Sequence, residues 1–342
     1  MRRFLAWLNN RWYTPRLSPA LLWLMPFAAI FAAIVFLRRL CYEIGLLRIK
    51  RLPVPVIVIG NLTVGGMGKT PLVLALAEAL RDKGWHPGII SRGYGGRHTR
   101  NSSLPCPVLP DSDPLATGDE PLLLARRSGL PVWIGRCRAS VGAALLAAHP
   151  ETDCLLCDDG LQHYRLARDL EIVVFDARGL GNGWLLPMGP LREPPSRLLC
   201  ADLLVTHGSP ELPEASRAKP CFAMRLEPGD CYRLAVPAER CSAADFRGRP
   251  LHAVAGIGNP GRFFATLDDL GLAYTPHSFP DHHPYSLADF AFLSDKSIMM
   301  TEKDGVKCSG LNLPDAWALP VTARISPEFV ALVVARIIQK HP

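Results

Sequence analysis

The sequence predicts an α/β protein with a mainly parallel sheet, a second and smaller α/β domain, and an N-terminal membrane helix. Short β-branched runs alternate with helical patterns, which favours a parallel sheet. Residues 17–37 carry no charge, and 342 residues are enough for about two domains. We expect a membrane anchor with a basic juxtamembrane stretch over 1–50, the main domain over 51–220, a hairpin linker over 221–250 and the smaller domain over 251–342.

The composition excludes several classes of protein. With 49% hydrophobic and 20% charged residues, the chain is too apolar to be disordered, and its 28 glycines and 32 prolines follow no collagen-like period. The net charge of +7 suits phosphate-bearing or anionic-membrane partners. It is too diffuse to indicate nucleic acid, so no nucleic-acid partner is expected.

The cysteines favour a reducing compartment. The chain has ten, and they are scattered rather than grouped as in a small secreted scaffold. Cys154 and Cys157 form a CxxC pattern, but they lie in an apolar strand pattern where residues three apart point to opposite faces. Buried thiols are therefore favoured there over a metal or redox site.

The charge-free segment 17–37 predicts a membrane helix. At ~1.5 Å per residue it would reach ~31 Å, close to the thickness of a hydrocarbon core. It is apolar on every side, and Trp12, Tyr13 and Tyr42 flank it where interfacial aromatic residues are favoured. A cleaved signal peptide and a buried core helix are the alternatives. Basic residues are nearly balanced on its two sides, so the charge pattern alone does not orient it.

Residues 54–84 have the pattern of a strand, a glycine-rich loop and a helix that ends at Gly84. A phosphate-binding loop needs small residues whose backbone N–H groups converge on oxygen, a lysine for the β- and γ-phosphates, and a hydroxyl for Mg²⁺. These parts are supplied by Gly65, Gly66, Met67, Gly68, Lys69 and Thr70. Thr63 stands where the strict pattern requires glycine, so an incidental GKT in a turn is the alternative. The pattern predicts a P-loop NTPase-like main domain.

A second apolar run, residues 152–160, ends in Asp158 and Asp159. In a P-loop protein, a carboxylate at the end of a neighbouring strand holds the Mg²⁺ ion. We therefore expect one of the two to bind the metal directly or through water, with a solvated turn as the alternative. No guanine-reading NKxD pattern occurs, so ATP is the expected nucleotide. The use of ATP would place everything after Leu37 in the cytoplasm.

A second glycine pattern supports a competing hypothesis. Gly256, Gly258 and Gly261 form GxGxxG between a strand pattern and a helix pattern, and Asp281 follows about 20 residues later. This is the fingerprint of a dinucleotide site. Pro260 lies inside the loop and only one such unit is visible, so a nicotinamide-dependent enzyme remains the weaker alternative.

Eight motifs occur in chain order: GNLTVGGMGKTP (60–71), SRGYGG (91–96), GDEP (118–121), DDGLQH (158–163), LPMGPLRE (186–193), GIGNPGRFF (256–264), PDHH (280–283) and TEKDGVK (301–307). Together they resemble the tetraacyldisaccharide 4′-kinase family, the lipid A 4′-kinases of Gram-negative bacteria, over nearly the whole chain. The resemblance implies transfer of the γ-phosphoryl group of ATP, with Mg²⁺, to the 4′-hydroxyl of a tetraacyl glucosamine disaccharide 1-phosphate. This lipid A precursor would be met at the cytoplasmic face of the inner membrane. Met67 stands where the family commonly has threonine.

The resemblance also implies roles for single residues. Asp119 in GDEP corresponds to the family's catalytic base, and His282 in PDHH to its helper histidine. A helix N-cap and an exposed loop histidine are the respective alternatives. Arg192 and Glu193 close LPMGPLRE, where an arginine can grip phosphate and a glutamate can assist the metal or substrate, with loop packing as the alternative.

Four further residues are expected to contact a lipid headgroup or the nucleotide: Arg92, Tyr94, Gln162 and His163. The alternative to a lipid kinase is a membrane-associated P-loop ATPase that acts as a switch. ATP turnover that needs a protein partner and leaves lipid unchanged would distinguish it. A closing helix is expected over Pro327–Lys340.

Overall fold

Two β-sheets organise the part of the chain that the structure describes. The computed structural model describes residues 2–14, 16–291 and 296–341, with side chains from residue 7 onward. One sheet has nine strands and the other has six. Most neighbouring strands within them are parallel, so the predicted α/β class is confirmed.

The N-terminal segment forms two helices. Helix α1 spans Arg2–Trp12, and a 3₁₀ turn over Pro19–Leu24 leads into helix α2 over Met25–Glu43. The turn and α2 together are long and apolar enough to cross a membrane, and only 17% of their most apolar window is buried. The large apolar side chains along α2 remain exposed, Phe36 by 68%. This exposure does not fit the alternative of a buried core helix.

Trp12 is not the interfacial aromatic residue that the sequence suggested. Its side chain is buried, and its Nε1 donates a hydrogen bond of 3.0 Å to the carbonyl oxygen of Pro187. It belongs to a small apolar core in which α1 and the start of α2 pack against Met188. The N-terminal segment is therefore seated on the main domain, because the polar end of this indole finds its partner in protein.

The main sheet follows the predicted alternation of strands and helices. In chain order, its elements are β1 (Val56–Gly60), α3 (Lys69–Asp82), β2 (Pro87–Ser91), α4 (Arg97–Asn101), β3 (Cys106–Val108), α5 (Pro114–Thr117), α6 (Asp119–Ser128), β4 (Val132–Ile134), α7 (Arg138–Ala148), β5 (Cys154–Asp158), β6 (Leu170–Asp176), β7 (Leu203–His207) and β8 (Cys221–Pro228). Strand β1 lies between β5 and β6 and is parallel to both. The carboxyl ends of β1 and β5 therefore meet at one edge, where ligands bind in such sheets.

Strand β5 also explains the CxxC pattern. Cys154 and Cys157 both lie on it, fully buried and not paired to each other. Burial raises the pKa of Cys157 to about 11, so the thiol stays protonated at neutral pH. These are core thiols, as the strand pattern indicated.

The second sheet forms the smaller domain. In chain order, its elements are β9 (Cys231–Arg233), β10 (Arg240–Cys241), β11 (Leu251–Ala255), α8 (Pro260–Asp269), β12 (Thr275–Ser278), β13 (Ser297–Thr301), α9 (Glu302–Cys308) and β14 (Ala316–Leu319). The strand order is β10-β9-β14-β13-β11-β12, with the last four parallel and the first two antiparallel. The loops after β11, β12 and β13 therefore open at the same edge of this sheet.

The end of the chain returns to the main domain. Strand β15 (Val321–Arg324) pairs with β8, and helix α10 (Pro327–Lys340) has the bounds that the sequence predicted. Phe329 and Ile337 of α10 are fully buried in the main core. The complete main sheet has the order β15-β8-β7-β6-β1-β5-β2-β4-β3. The smaller domain is thus an insertion between β8 and β15, and the expected boundary over 251–342 is wrong at its carboxyl end.

The hairpin expected around residues 228–230 of the linker 221–250 does not form, because β8 and β9 belong to different sheets. Strand β8 pairs with β7 and β15 of the main sheet, whereas β9 pairs with β14 and β10 of the smaller sheet. Alternating polar and apolar residues are typical of any strand with one covered face, so the pattern could not identify the partner strand.

Candidate active site

The phosphate loop joins the buried strand β1 to helix α3. Gly65 and Gly68 have φ angles of 100° and 83°, a region that glycine enters without strain. Lys69 is the first residue of α3. Its Nζ lies 2.7 Å from Asn61 Oδ1 and 3.1 Å from Asp159 Oδ1, so the ammonium group is held between the end of β1 and the end of β5.

The two aspartates at the end of β5, Asp158 and Asp159, have different electrostatic environments. Asp159 Oδ1 and Oδ2 lie 3.0 and 2.9 Å from Arg192 Nη1, which donates to both. Burial alone would raise the pKa of Asp159, but the charges of Lys69 and Arg192 outweigh it and hold that pKa well below its usual range. Asp159 therefore stays ionised and is committed to two cations. Arg192 in turn is held by a carboxylate.

Among the described residues, no cation pairs directly with Asp158, although the charges of Lys69 and Arg138 act to lower its pKa. Asp158 is buried, its Oδ2 accepts a hydrogen bond of 3.3 Å from Ser91 Oγ, and its Oδ1 has no partner among the described residues. Burial raises the pKa of Asp158 to about 7, and the negative charges of Glu120 and Asp159 add to the effect. A buried carboxylate oxygen without a partner is costly unless a cation or a water molecule satisfies it.

Asp158 fits a magnesium site better than any other predicted ligand. Within the described ranges, no group of three His, Cys, Asp or Glu side chains could hold a metal by itself. Mg²⁺ at a nucleotide site takes only one or two protein ligands and completes its shell with water and phosphate oxygens. The protein ligands available here are the Asp158 carboxylate and the hydroxyl group of Thr70, the residue after Lys69.

A carboxylate and a histidine from different domains form a close pair. Asp119 begins α6 after Gly118, where a Cβ atom would lie 2.7 Å from the Tyr94 carbonyl oxygen. His282 Nδ1 lies 3.0 Å from each carboxylate oxygen of Asp119. Burial alone would raise the pKa of Asp119, but its hydrogen bond with His282 and the charge of Lys303 lower it to about 2. Burial alone would lower the pKa of His282, but the same hydrogen bond raises it.

Neither alternative for this pair fits its geometry. The N-cap of α6 is Gly118, and the Asp119 carboxylate is buried and turned to His282. The His282 side chain is 23% exposed and packs beside Tyr94, with 5.2 Å between the ring centroids. The structure therefore brings together the two residues for which the resemblance implied a joint role.

Lys303 is a member of this cluster that sequence reasoning missed. Its Nζ lies 2.8 Å from Glu120, 3.0 Å from Asp281 and 3.9 Å from Asp119. Burial alone would lower the pKa of Lys303, but these three carboxylates raise it well above its usual range. The lysine comes from α9 of the smaller domain and bridges carboxylates of both domains. It belongs to the motif TEKDGVK, but the neighbouring sequence does not predict the direction of a lysine side chain at the start of a helix.

Glu193 lies in a different network from the one expected. It is buried, and its Oε2 accepts a hydrogen bond of 2.9 Å from Gln162 Nε2 while its Oε1 accepts one from the Tyr164 hydroxyl. The backbone carbonyl of Gln162 in turn accepts a hydrogen bond of 2.7 Å from Arg38 of α2. Both carboxylate oxygens of Glu193 are thus used in holding the loop that follows Asp159, and its predicted role as a metal ligand remains a prediction.

A basic cavity lies beside this network, at the end of α2. Its volume is about 310 Å³, and it is lined by Arg38, Tyr42, Arg136, Cys137, Arg138, His163, Arg165 and Leu166. Arg138 is 2% exposed, and its Nε and Nη2 have no hydrogen-bond partner in the described part of the chain. Burial and the charge of Arg138 lower the pKa of His163 to about 3, so this imidazole is neutral. A buried guanidinium with free donors suits an anionic ligand.

The remaining predicted residues surround the site. Met67 is buried in the main core, so its side chain does not fill the cradle. Tyr94 is 63% exposed beside His282, and Arg92 is exposed on the same loop. Their predicted contacts with a headgroup or nucleotide remain predictions.

The GxGxxG pattern is explained by close packing. A Cβ atom on Gly256 would lie 2.5 Å from a tyrosine hydroxyl, and one on Gly258 would lie 3.1 Å from the backbone nitrogen of Gly66. Asp281, the acidic residue of the fingerprint, is bound to Lys303. The pattern thus lets the smaller domain approach the phosphate loop, and this disfavours a dinucleotide site.

Comparisons with known proteins show which proteins the chain resembles in sequence and in fold. The sequence model of the family described as "Tetraacyldisaccharide-1-P 4'-kinase" matches residues 20–338. A tetraacyldisaccharide 4′-kinase of Dechloromonas aromatica (strain RCB) is 54% identical over 335 residues, 97% of each chain. One of Azoarcus sp. (strain BH72) is 51% identical over 95% of this chain and 94% of its own. The crystal structure of LpxK from Aquifex aeolicus in complex with ATP is 31% identical, has a TM-score of 0.78 and covers 93% of this chain and 99% of its own.

Proposed function

The chain belongs to the tetraacyldisaccharide-1-P 4′-kinase family, and on that basis we propose how it works as an ATP-dependent kinase of lipid A biosynthesis. The γ-phosphoryl group of ATP is transferred to the 4′-hydroxyl group of a tetraacylated glucosamine disaccharide 1-phosphate. One observation carries the assignment of the site. A Cβ atom on Gly258 would lie 3.1 Å from the backbone nitrogen of Gly66 in the phosphate loop and 3.3 Å from Asp281 Oδ2, which itself lies 3.8 Å from His282 Nε2. A proton acceptor and a phosphate site therefore lie side by side.

The phosphate half of the site holds the triphosphate. Backbone N–H groups of the glycine-rich loop and the Lys69 ammonium group bind the β- and γ-phosphates, and this neutralises charge as the phosphoryl group leaves. Thr70 and Asp158 are the residues that would hold Mg²⁺, and the bound ion would neutralise phosphate charge. Asp159 keeps Lys69 and Arg192 in place, since it contacts both.

The other half accepts the proton of the sugar hydroxyl. With Asp119 so acidic and both its oxygens at His282 Nδ1, the carboxylate is a weak base that orients the ring and stabilises its protonated form. His282 Nε2 then takes the 4′-hydroxyl proton as the oxygen bonds to phosphorus. This exchanges the two roles that the resemblance implied, in which Asp119 was the base and His282 its helper.

The basic cavity binds the second phosphate of the substrate. The acceptor lipid carries a 1-phosphate at the opposite end of its disaccharide from the 4′-hydroxyl. The unpartnered guanidinium of Arg138 supplies donors for such a group, and Arg38 links the cavity to the end of α2. A headgroup held there has its acyl chains next to the exposed apolar side chains of α2.

The same arrangement supports a place at the inner membrane. Helix α2 inserts among the acyl chains, and ATP use puts the two domains on the cytoplasmic face. An enzyme anchored in this way meets its lipid in two dimensions.

A direct assay tests the proposal. The purified full chain, in detergent micelles with ATP and Mg²⁺, is given a tetraacyl disaccharide 1-phosphate. We expect a product with one added phosphate at the 4′ position, identified by mass spectrometry and by loss on treatment with a 4′-phosphatase. An acceptor without its 1-phosphate should show a higher KM with wild-type protein, and that increase should largely vanish in Arg138→Met.

Two results would contradict the proposal. ATP hydrolysis that leaves the lipid unchanged would favour a switch-like ATPase. An acceptor that lacks the 1-phosphate and reacts with unchanged KM would remove the basic cavity from the binding site.

A further inference from the structure

The outer side of the phosphate loop is held by two residues from distant parts of the chain. The Tyr13 hydroxyl donates a hydrogen bond of 3.1 Å to the carbonyl oxygen of Val64. Arg178 Nη2 donates one of 3.1 Å to the carbonyl oxygen of Gly66. Both acceptors lie within the glycine-rich loop, on alternate peptide groups.

Each of these carbonyl groups shares a rigid plane with an N–H group of the loop. The Val64 carbonyl shares its peptide plane with the Gly65 N–H, and the Gly66 carbonyl shares its plane with the Met67 N–H. In a trans peptide the two groups point in opposite directions. Rotation of these planes meets little steric resistance next to glycine. A donor that holds each carbonyl outward therefore fixes the N–H on the inner side, where a phosphate is bound.

The two donors are themselves held in place. Arg178 is bound to Asp176, at the end of β6, through contacts of 2.7 and 2.9 Å. The Arg178 guanidinium also lies 4.5 Å from the ring centroid of Tyr13. The residue before Tyr13, Trp12, accepts a hydrogen bond of 2.7 Å at its carbonyl oxygen from Asn182 N.

The loop also packs directly on the N-terminal segment. The Val64 side chain contacts the apolar core that α1 and the start of α2 form with Met188. Tyr13 packs against the same core, and burial raises its pKa, so the hydroxyl remains a donor at neutral pH. The segment that enters the membrane and the loop that binds phosphate are thus parts of one packed unit.

We propose that Tyr13 and Arg178 are positioning residues that pre-form the phosphate loop, so that ATP binding depends on the seating of the N-terminal membrane segment. The inference rests on the proposed function to the extent that this loop binds ATP. The free loop, with two adjacent glycines, has many conformations to lose on binding a triphosphate. Hydrogen bonds from Tyr13 and Arg178 on its outer side already restrict these conformations in the free protein, so less conformational entropy is lost when ATP binds.

Equilibrium binding of ATP with Mg²⁺ to the full chain in detergent micelles tests this. Tyr13→Phe keeps the ring on Arg178 and removes only the donor, and we expect its Kd for ATP to rise about fivefold. Arg178→Lys replaces the planar guanidinium group, which contacts Asp176 and the Gly66 carbonyl oxygen together, with a single ammonium group. We expect its Kd for ATP to rise about tenfold. Steady-state kinetics should show the same rise in KM for ATP, with KM for the lipid and kcat at saturating ATP within about twofold of wild type.

Tyr274→Phe is the matched control. It also removes one tyrosine hydroxyl, which donates to the Phe264 carbonyl oxygen at 3.1 Å in the smaller domain. Its Kd for ATP should equal that of wild type. Wild-type ATP affinity in both Tyr13→Phe and Arg178→Lys, at unchanged Tm, would overturn the inference while leaving the kinase proposal intact. A wild-type protein that does not bind ATP would overturn both.

Discussion

The phosphate-binding half and the proton-accepting half of the site are assembled differently. Lys69, Asp158 and Asp159 lie at or just beyond the carboxyl ends of two adjacent parallel strands, β1 and β5, of a single domain. The other half exists only where two domains meet, since Asp119 belongs to the main sheet's α6 whereas His282 and Lys303 come from the smaller domain. The groups proposed to bind the nucleotide therefore come from one domain. Phosphoryl transfer also requires the smaller domain to be correctly positioned against the main domain. Changes in the first half should affect ATP binding and turnover together, and changes in the second half should affect turnover alone.

Lys69→Ala should have the largest effect and act on both quantities. The variant removes the cation that we propose contacts the phosphates and leaves Arg192 as the ion-pair partner of Asp159 within the described residues. We expect kcat to fall about 10³-fold and the Kd for ATP to rise. Stopped-flow turnover and equilibrium ATP binding measure the two effects. An unchanged Kd for ATP in this variant would show that Lys69 does not contribute to nucleotide binding.

Asp119→Asn and His282→Ala should lower turnover alone. Loss of the proton acceptor or of its partner should cost about 10²- to 10³-fold in kcat, with the Kd for ATP unchanged. Because the pair acts as a unit, the double variant should lose little more than the worse single variant. Losses that multiply in the double variant would show that the residues act independently.

Lys303→Met should change the pH dependence. Lys303 faces His282 together with Asp119 and Asp281, and its positive charge lowers the pKa of the imidazole. Without that charge the pKa of His282 rises, so the neutral base is lost at higher pH and the acidic limb of kcat/KM moves upward. We expect about a tenfold loss at pH 7 and rescue by Lys303→Arg. A uniform loss at all pH values would indicate a role in domain packing only.

Arg138→Met should have the narrowest effect, because it should change only the KM for the lipid. The variant keeps the bulk of the buried side chain and removes the two donors that have no partner in the described chain, together with the hydrogen bond of 2.9 Å from Nη1 to the Gly135 carbonyl oxygen. We expect KM for the lipid to rise about tenfold, with KM for ATP and the Tm near wild type. A rise in KM for ATP instead would move the basic cavity into the phosphate half.

The sequence was most informative where contacts are local. The bounds of α10, the order of loop and helix around Lys69 and the acidic end of β5 all follow from patterns within a few residues. The pairing of Asp119 with His282 spans 163 positions and was reached only through a family resemblance. Physical patterning alone left each of these residues with a common structural alternative.

Other features depend on which surfaces meet and had no local signal. Lys303 is recognisable only from the three carboxylates around it, two of them from α6. The return of β15 to the main sheet could not be read from four residues that would suit an edge of either sheet. The same holds for Tyr13, whose position beside an apolar helix suggested a membrane interface while its hydroxyl reaches the loop.

The insertion of the smaller domain between β8 and β15 has a mechanical consequence. Its entry and exit run side by side, with Gly229 N donating to the Pro320 carbonyl oxygen at 2.9 Å just beyond the paired strands. Two neighbouring segments of chain therefore join the smaller domain to the main domain. Any rotation at this connection would move His282 and Lys303 together relative to Asp119, because both residues belong to the smaller domain. A truncation after β14 would remove β15 and α10. Because residues of α10 belong to the core of the main domain, the main domain would lose stability before the smaller domain did.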